Sequence, residues 1–182
     1  KKQLLFVGRL SREKGPDRLL RVWKQLQPRL PGWECILVGD GPMRPELENF
    51  IQQNHLQSCT HLAGWQRDPW PWYRQADLLV LASHYEGYPN SLLEAMTAGT
   101  AVITTRCSDS IPEILGDLVG TCSCENDEAS LAEAVVRLAS HHQQRLEIAD
   151  KLRQRSTAFR WSRLSETWCD VILSAGNLNR IK

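Results

Sequence analysis

The stretch Leu78-Leu79-Val80-Leu81-Ala82-Ser83-His84-Tyr85-Glu86-Gly87-Tyr88-Pro89-Asn90-Ser91-Leu92-Leu93-Glu94-Ala95-Met96 decides the fold. Its first five residues form an unbroken apolar run of strand length, as in a strand covered on both faces of a parallel sheet. Leu92, Leu93, Ala95 and Met96 then carry helical spacing. The turn at Gly87 and Pro89 divides the two periods. Glu86 is therefore expected on a loop at the carboxyl end of a strand, and Glu94 inside the helix that follows.

Pro89 suits the first helical position, because its fixed φ fits a helix and its missing N–H would have no partner there. The N–H groups of Asn90, Ser91 and Leu92 are then expected to be free, a positive helix tip that takes an anion such as phosphate. Glu94 falls one turn on, on the face of Asn90, where a carboxylate accepts two hydrogen bonds from a vicinal diol such as a ribose. Glu86 flanks the phosphate position on its other side, within reach of a third part of an extended ligand.

Outward from this stretch, residues 4–7, 35–38, 60–62, 101–104 and, more weakly, 119–122 repeat the apolar run. Leu19, Leu20, Trp23 and Leu26 mark one helix entered through Gly15-Pro16, and Leu47, Phe50 and Ile51 a second; residues 131–138 and 146–152 mark two more. Strands alternating with helices predict an α/β fold, a Rossmann-like parallel sheet of about six strands flanked by helices. Ligands of such sheets bind outside the carboxyl ends of the strands.

Three further loops are expected at that edge. Gly8-Arg9-Leu10-Ser11-Arg12-Glu13-Lys14-Gly15 sets Arg9 at a strand end and Lys14 before a helix; a guanidinium fork and a movable ammonium suit a diphosphate. Gly39-Asp40-Gly41-Pro42-Met43-Arg44 has two glycines of a dinucleotide fingerprint but Arg44 in place of the third, and it follows the wrong strand. Its glycines read as a tight turn and Pro42 as the start of the next helix. Gly64-Trp65 offers a backbone edge and an aromatic face to a planar base. Trp70, Trp72 and Tyr73 read as helix packing, and His84 as a loop residue beside Glu86.

The 182 residues, 42% of them hydrophobic, suffice for one globular domain, with 1–160 as its core and 161–182 as a terminal helix. A net charge of +1 and a pI near 7.8 speak against a nucleic-acid partner. No run reaches the roughly 18 apolar residues that span a bilayer. Six dispersed cysteines without paired CxxC spacing read as reduced thiols of a cytoplasmic protein, and Cys122-Ser123-Cys124 is the one close pair. The chain enters its first apolar run with neither Met nor leader, so a further segment is expected to precede it. The tail 142–182 holds eight Lys or Arg against four Asp or Glu, with Trp161 and Trp168. Packed helices with solvated charges are the simpler reading, and peripheral contact with the inner face of a membrane is the alternative.

Taken together, Gly8-Arg9-Leu10 with Lys14-Gly15, Val38-Gly39-Asp40-Gly41-Pro42, Leu62-Ala63-Gly64-Trp65, Tyr73-Arg74-Gln75-Ala76-Asp77, and Glu86-Gly87-Tyr88-Pro89-Asn90 with Glu94-Ala95-Met96 resemble the family 4 retaining glycosyltransferases. The match runs in order over nearly the whole chain. The resemblance implies the carboxy-terminal, donor-binding half of a two-domain GT-B fold, whose amino-terminal acceptor domain is absent here. It implies Arg9 and Lys14 on the donor diphosphate with the amides of Asn90, Ser91 and Leu92, Glu94 on the ribose, and Gly64 and Trp65 at the base. Glu86 would be the catalytic carboxylate at the transferred sugar, as base or as electrostatic support.

The same resemblance implies no metal and no cofactor besides the donor substrate, a nucleotide-diphosphate sugar with UDP as the commoner nucleotide. Cations and helix amides would stabilise the departing diphosphate. A hexose or N-acetylhexosamine would pass to a glycan or lipid-linked acceptor in cell-surface polysaccharide synthesis, and this fragment alone would bind without transferring. Ser108-Asp109-Ser110-Ile111-Pro112-Glu113 departs from the family pattern, in which small glycines precede the Pro-Glu. Two other readings stay open: a UDP-sugar epimerase of the same architecture, and a catalytically silent nucleotide-sugar-binding module, which needs no carboxylate at Glu86. A dinucleotide-dependent dehydrogenase is disfavoured by the missing glycine.

Overall fold

The computed structural model describes residues 1–159. Strands β1 (Lys2–Val7), β2 (Trp33–Val38), β3 (Thr60–Gly64), β4 (Leu78–Leu81), β5 (Ala101–Thr105) and β6 (Ser123–Cys124) form one parallel sheet in the order β3-β2-β1-β4-β5-β6. The chain winds outward from β1 to β3, then returns to the other side of β1 to lay down β4. Strand order reverses there, the topological switch point at which sheets of this kind bind ligands outside the carboxyl ends of the strands. Every residue of β4 and β5 is buried, which is why their sequences lack polar alternation.

Helices α1 (Pro16–Leu26), α2 (Arg44–Gln53), α3 (Trp70–Gln75), α4 (Asn90–Ala98), α5 (Ile111–Leu115), α6 (Val119–Cys122), α7 (Glu128–Ser140) and α8 (His142–Ser156) accompany the sheet. In α1 the buried residues Leu19, Leu20, Trp23 and Leu26 recur at helical spacing, and the Trp23 indole N–H donates to the Thr60 hydroxyl at 3.0 Å. That bond ties α1 to the start of β3.

Three expectations are corrected. Residues 119–122 are not the sixth strand: they make the helical turn α6, closed by the Ser123 hydroxyl on the Val119 carbonyl, and only Ser123 and Cys124 pair with Thr104 and Thr105. Pro42 does not start a helix. The chain first hooks onto the β1 loop, with the Met43 N–H on the Leu10 carbonyl at 3.0 Å, and α2 begins at Arg44. In α8 Arg145, 2% exposed, faces the core with Ile148, Ala149 and Leu152, while Leu146 is 51% exposed. The Arg145 guanidinium donates to the Leu138 and Ala139 carbonyls at 3.0 Å each, to Asp77 at 3.3 Å, and lies 5.0 Å from the Trp33 ring centre. It thereby satisfies carbonyls that the end of α7 leaves without helical partners.

The cysteines among the described residues are free. Burial pushes the Cys122 thiol up to about 12 and the Cys124 thiol up to about 11, so neither is a thiolate near neutral pH. No helix of the described residues is long and apolar enough to cross a membrane. The expected terminal helix 161–182, with Trp161 and Trp168, lies outside the described residues.

Candidate functional site

The loops after β1, β2 and β3 meet at backbone distance beside the switch point. The Gly8 N–H donates to the Val38 carbonyl and the Leu10 N–H to the Asp40 carbonyl, both at 3.0 Å, and the Gly39 N–H donates to the Gly64 carbonyl at 2.8 Å. Gly39, at φ +139°, lies so close to the Gly8 carbonyl that any side chain would collide with it. This close approach, rather than a dinucleotide, explains the glycine. Gly15, at φ +64°, packs against the Ala82 carbonyl in the same way, and the His84 N–H donates to the Glu13 carbonyl at 2.8 Å. The first loop is thus fastened to the end of β4.

That fastening brings Lys14 to Glu86. The Lys14 ammonium lies 2.8 and 2.6 Å from the two Glu86 oxygens, and the Ser83 hydroxyl donates to the first of them at 2.7 Å. The Glu86 side chain is 5% exposed and Lys14 32%. The ammonium and the hydroxyl stand in place of the water that burial removes from these oxygens. The Glu86 N–H donates to the Cys107 carbonyl at 2.8 Å, which fixes the loop over β5.

The helix tip differs from expectation. Pro89 stands outside α4 as its N-cap, with ψ +86°, and Asn90 is the first helical residue. The Asn90 N–H donates to the Tyr88 carbonyl at 3.0 Å and the Leu92 N–H to the Pro89 carbonyl at 3.1 Å. A tightened first turn thus uses two of the three amides expected to be free. The Ser91 N–H alone keeps no backbone partner among the described residues, so the anion point is one amide wide.

One turn further, Glu94 accepts the Tyr73 hydroxyl at 2.6 Å. Tyr73 is fully buried, and its own carbonyl takes the Thr100 hydroxyl at 2.6 Å. Burial first, then the hydrogen bond to Glu94 and the Glu94 charge, push the Tyr73 phenol far above its usual range, so it stays a donor at any working pH. Its packing was legible in the sequence, but this second role gave no sequence signal.

Arg9 is exposed at the end of β1 and lines, with Gly8, Gly39, Asp40 and Trp65, a cleft of about 460 Å³. Trp65 is 71% exposed, so its ring is open to a flat ligand, whereas the Gly64 carbonyl is already engaged by Gly39. On the other side of Glu86 a cavity of about 580 Å³ is lined by His84, Tyr85, Glu86, Arg106, Cys107 and Ser108, among others. The Ser108 hydroxyl donates to the Gly87 carbonyl at 3.0 Å and pairs with the Ser110 hydroxyl at 2.8 Å, so this loop closes onto the Glu86 loop. The structure therefore joins Lys14 to Glu86 and Arg9 to Trp65, and sets Glu94 apart with Tyr73.

A family model described as glycosyl transferases group 1 matches residues 1–141. The amylovoran biosynthesis glycosyltransferase AmsD of Erwinia amylovora is 28% identical over 170 residues, 93% of this chain and 48% of its own. The chain spans about half or less of the length of the curated relatives it matches. Among solved structures, the C-terminal domain of the glycosyl transferase group 1 family protein LpcC from Francisella tularensis superposes with a TM-score of 0.77 at 27% identity, over 87% of this chain and 85% of that one. The pneumococcal O-GlcNAc transferase GtfA in complex with UDP and GlcNAc gives 0.81 at 21% identity, over 94% of this chain and 35% of its own, a likeness of fold.

Proposed function

The chain belongs to the glycosyl transferases group 1 family, and on that premise we propose that it is the donor-binding, carboxy-terminal half of a retaining glycosyltransferase that uses a UDP-sugar. The observation that carries the reading is the set of groups supplied by the loops after β1, β3 and β4 and by the helix α4. Trp65 and Arg9 share one cleft, Lys14 and Glu86 meet at the centre, and Glu94 waits on Tyr73. In this reading Trp65 and the Gly64 backbone flank the base, Glu94 takes the ribose diol, and Arg9, Lys14 and the Ser91 amide hold the diphosphate. Glu86 faces the transferred sugar.

The chemistry asked of these residues is modest. As the sugar–oxygen bond breaks, negative charge grows on the diphosphate, and fixed cations lower the energy of that state more than they do the bound donor. Glu86 accepts from sugar hydroxyls and supports positive charge at the reacting carbon. A glycan or lipid-linked acceptor is held by the amino-terminal domain of the whole protein, so this chain alone binds without transferring. The complex of GtfA with UDP supports the nucleotide, the name of AmsD supports polysaccharide synthesis, and dispersed free thiols support a cytoplasmic setting.

Calorimetry of UDP, GDP and ADP against the chain and its Glu94→Ala variant tests the reading. Heat from UDP that vanishes in the variant is expected. Equal heats in both proteins remove the ribose assignment, and no heat from any nucleotide overturns the whole reading.

A further inference from the structure

Arg18 is the most buried cation of α1, 4% exposed, yet it faces the loop that carries Glu86. One guanidinium nitrogen donates to the Asn126 side-chain oxygen at 2.5 Å, and the other contacts Nδ1 of His84. The Asn126 amide in turn donates to the His84 carbonyl at 2.9 Å, while the His84 N–H is held by Glu13. Both the backbone and the ring of His84 are thus fixed by residues distant in sequence. The Glu86 side chain has its own partners in Lys14 and Ser83, and neither Arg18 nor Asn126 is among them.

A guanidinium has donors only, so Nδ1 of His84 must be the acceptor and the ring proton must sit on Nε2. Burial first, then the Arg18 charge, lowers the His84 pKa; Arg21 acts in the same sense, and Asp17 on α1 and Glu128 on α7 oppose it. The ring is neutral at neutral pH. It is also exposed and lines the cavity of about 580 Å³ that Glu86 lines. Glu86 brings only acceptors to that cavity, and His84, with its proton on Nε2, adds a donor to its wall; the ring also borders a smaller cavity of about 360 Å³ with Arg12, Glu13, Asp17 and Arg21. A hydroxyl-rich ring both donates and accepts, and such a wall suits it.

Resting on the nucleotide-sugar reading above, we propose that His84 donates a hydrogen bond to the sugar of the donor substrate, with Arg18 as the positioning residue that fixes its tautomer. The test is calorimetry of UDP, UDP-glucose and UDP-N-acetylglucosamine on this chain and on His84→Ala, with nitrogen-15 NMR of the imidazole. The variant should bind the preferred UDP-sugar about five-fold more weakly, as for one lost neutral hydrogen bond, and bind UDP unchanged. The NMR should find the proton on Nε2 in the wild type and a mixture of tautomers in Arg18→Gln. A proton on Nδ1, an unchanged UDP-sugar affinity in His84→Ala, an equal loss for UDP and UDP-sugar, or a wild type that binds UDP but neither sugar nucleotide would each overturn the inference alone. A wild type that binds no UDP overturns the nucleotide reading and this inference with it.

Discussion

Replacing Tyr73 by Phe removes a single oxygen from the core and tests whether Glu94 is a held ligand group. The ring is fully buried and edge-on to Trp70, with centroids 6.1 Å apart at 61°, so a phenyl keeps the packing. What disappears is one O–H···O bond of 2.6 Å to a carboxylate. A hydrogen bond to an ionised partner contributes about 1.5–3 kcal/mol when both groups are shielded from water. Glu94 is only half-buried, and water recovers part of the loss, so about 1 kcal/mol is expected, or about 2–4 °C in Tm for a domain of this size. The freed carboxylate must also be ordered again by the ligand, and about 1 kcal/mol is roughly five-fold in Kd for UDP. Thermal unfolding and calorimetry on Tyr73→Phe read the two effects, and a cycle with Glu94→Gln isolates the pair. Unchanged UDP affinity beside a lowered Tm would refute the positioning role. No change in either would mean that the bond contributes nothing.

In the full-length protein, Glu86→Gln should cut turnover by about 100-fold or more without weakening UDP binding, since the variant also frees Lys14 for the diphosphate, and undiminished turnover rejects its catalytic role. Arg145→Leu takes the guanidinium from the Leu138 and Ala139 carbonyls and from Asp77, which is 26% exposed and keeps the Gln3 N–H at 2.9 Å, so chemical unfolding should register a loss of about 3 kcal/mol; a loss below about 1 kcal/mol would refute the part assigned to Arg145. Asp127 caps α7 by accepting the Ser130 N–H and hydroxyl, both at 2.8 Å, and these bonds hold its carboxyl below the usual 3.8. A lowered folded-state pKa means stability that is present above the ordinary value and lost as pH falls through the folded one. The Tm gap between wild type and Asp127→Ala should therefore be widest near pH 6 and close below about pH 4, and a gap constant down to about pH 2 would contradict the capping role.

What was legible in the chain follows from which interactions are local. β4 and β5 declare themselves because both faces are buried and no charged residue interrupts them. β6 does not, because its two residues are strand only by virtue of their register with Thr104 and Thr105. Pro89 is the N-cap of α4 and not its first helical residue because a proline ring fixes φ, which N-cap and first turn share, but leaves ψ to the rest of the fold. Arg145 broke the apolar period of α8, since a charge can occupy a core position only where distant carbonyls meet it. At the site, Lys14 and Glu86 were each legible from loop position. Their contact spans 72 residues, and the bond from Tyr73 to Glu94 spans 21, distances over which a single sequence carries no pairing information. The Arg18–His84–Asn126 cluster was illegible for the same reason.

The contact between Lys14 and Glu86 makes the centre of the site its own competitor. Any anion that draws the ammonium away leaves a nearly buried carboxylate with the Ser83 hydroxyl as its one side-chain partner, at a cost of a few kcal/mol. Inorganic phosphate has nothing to give Glu86 in exchange and must bear that cost in full. A molecule that brings an anionic group to the lysine and hydroxyls to the glutamate replaces both halves of the broken pair at once. Discrimination against the small ions that crowd a cell thus comes from an internal rival for the same charge, and requires no gate and no narrow entrance.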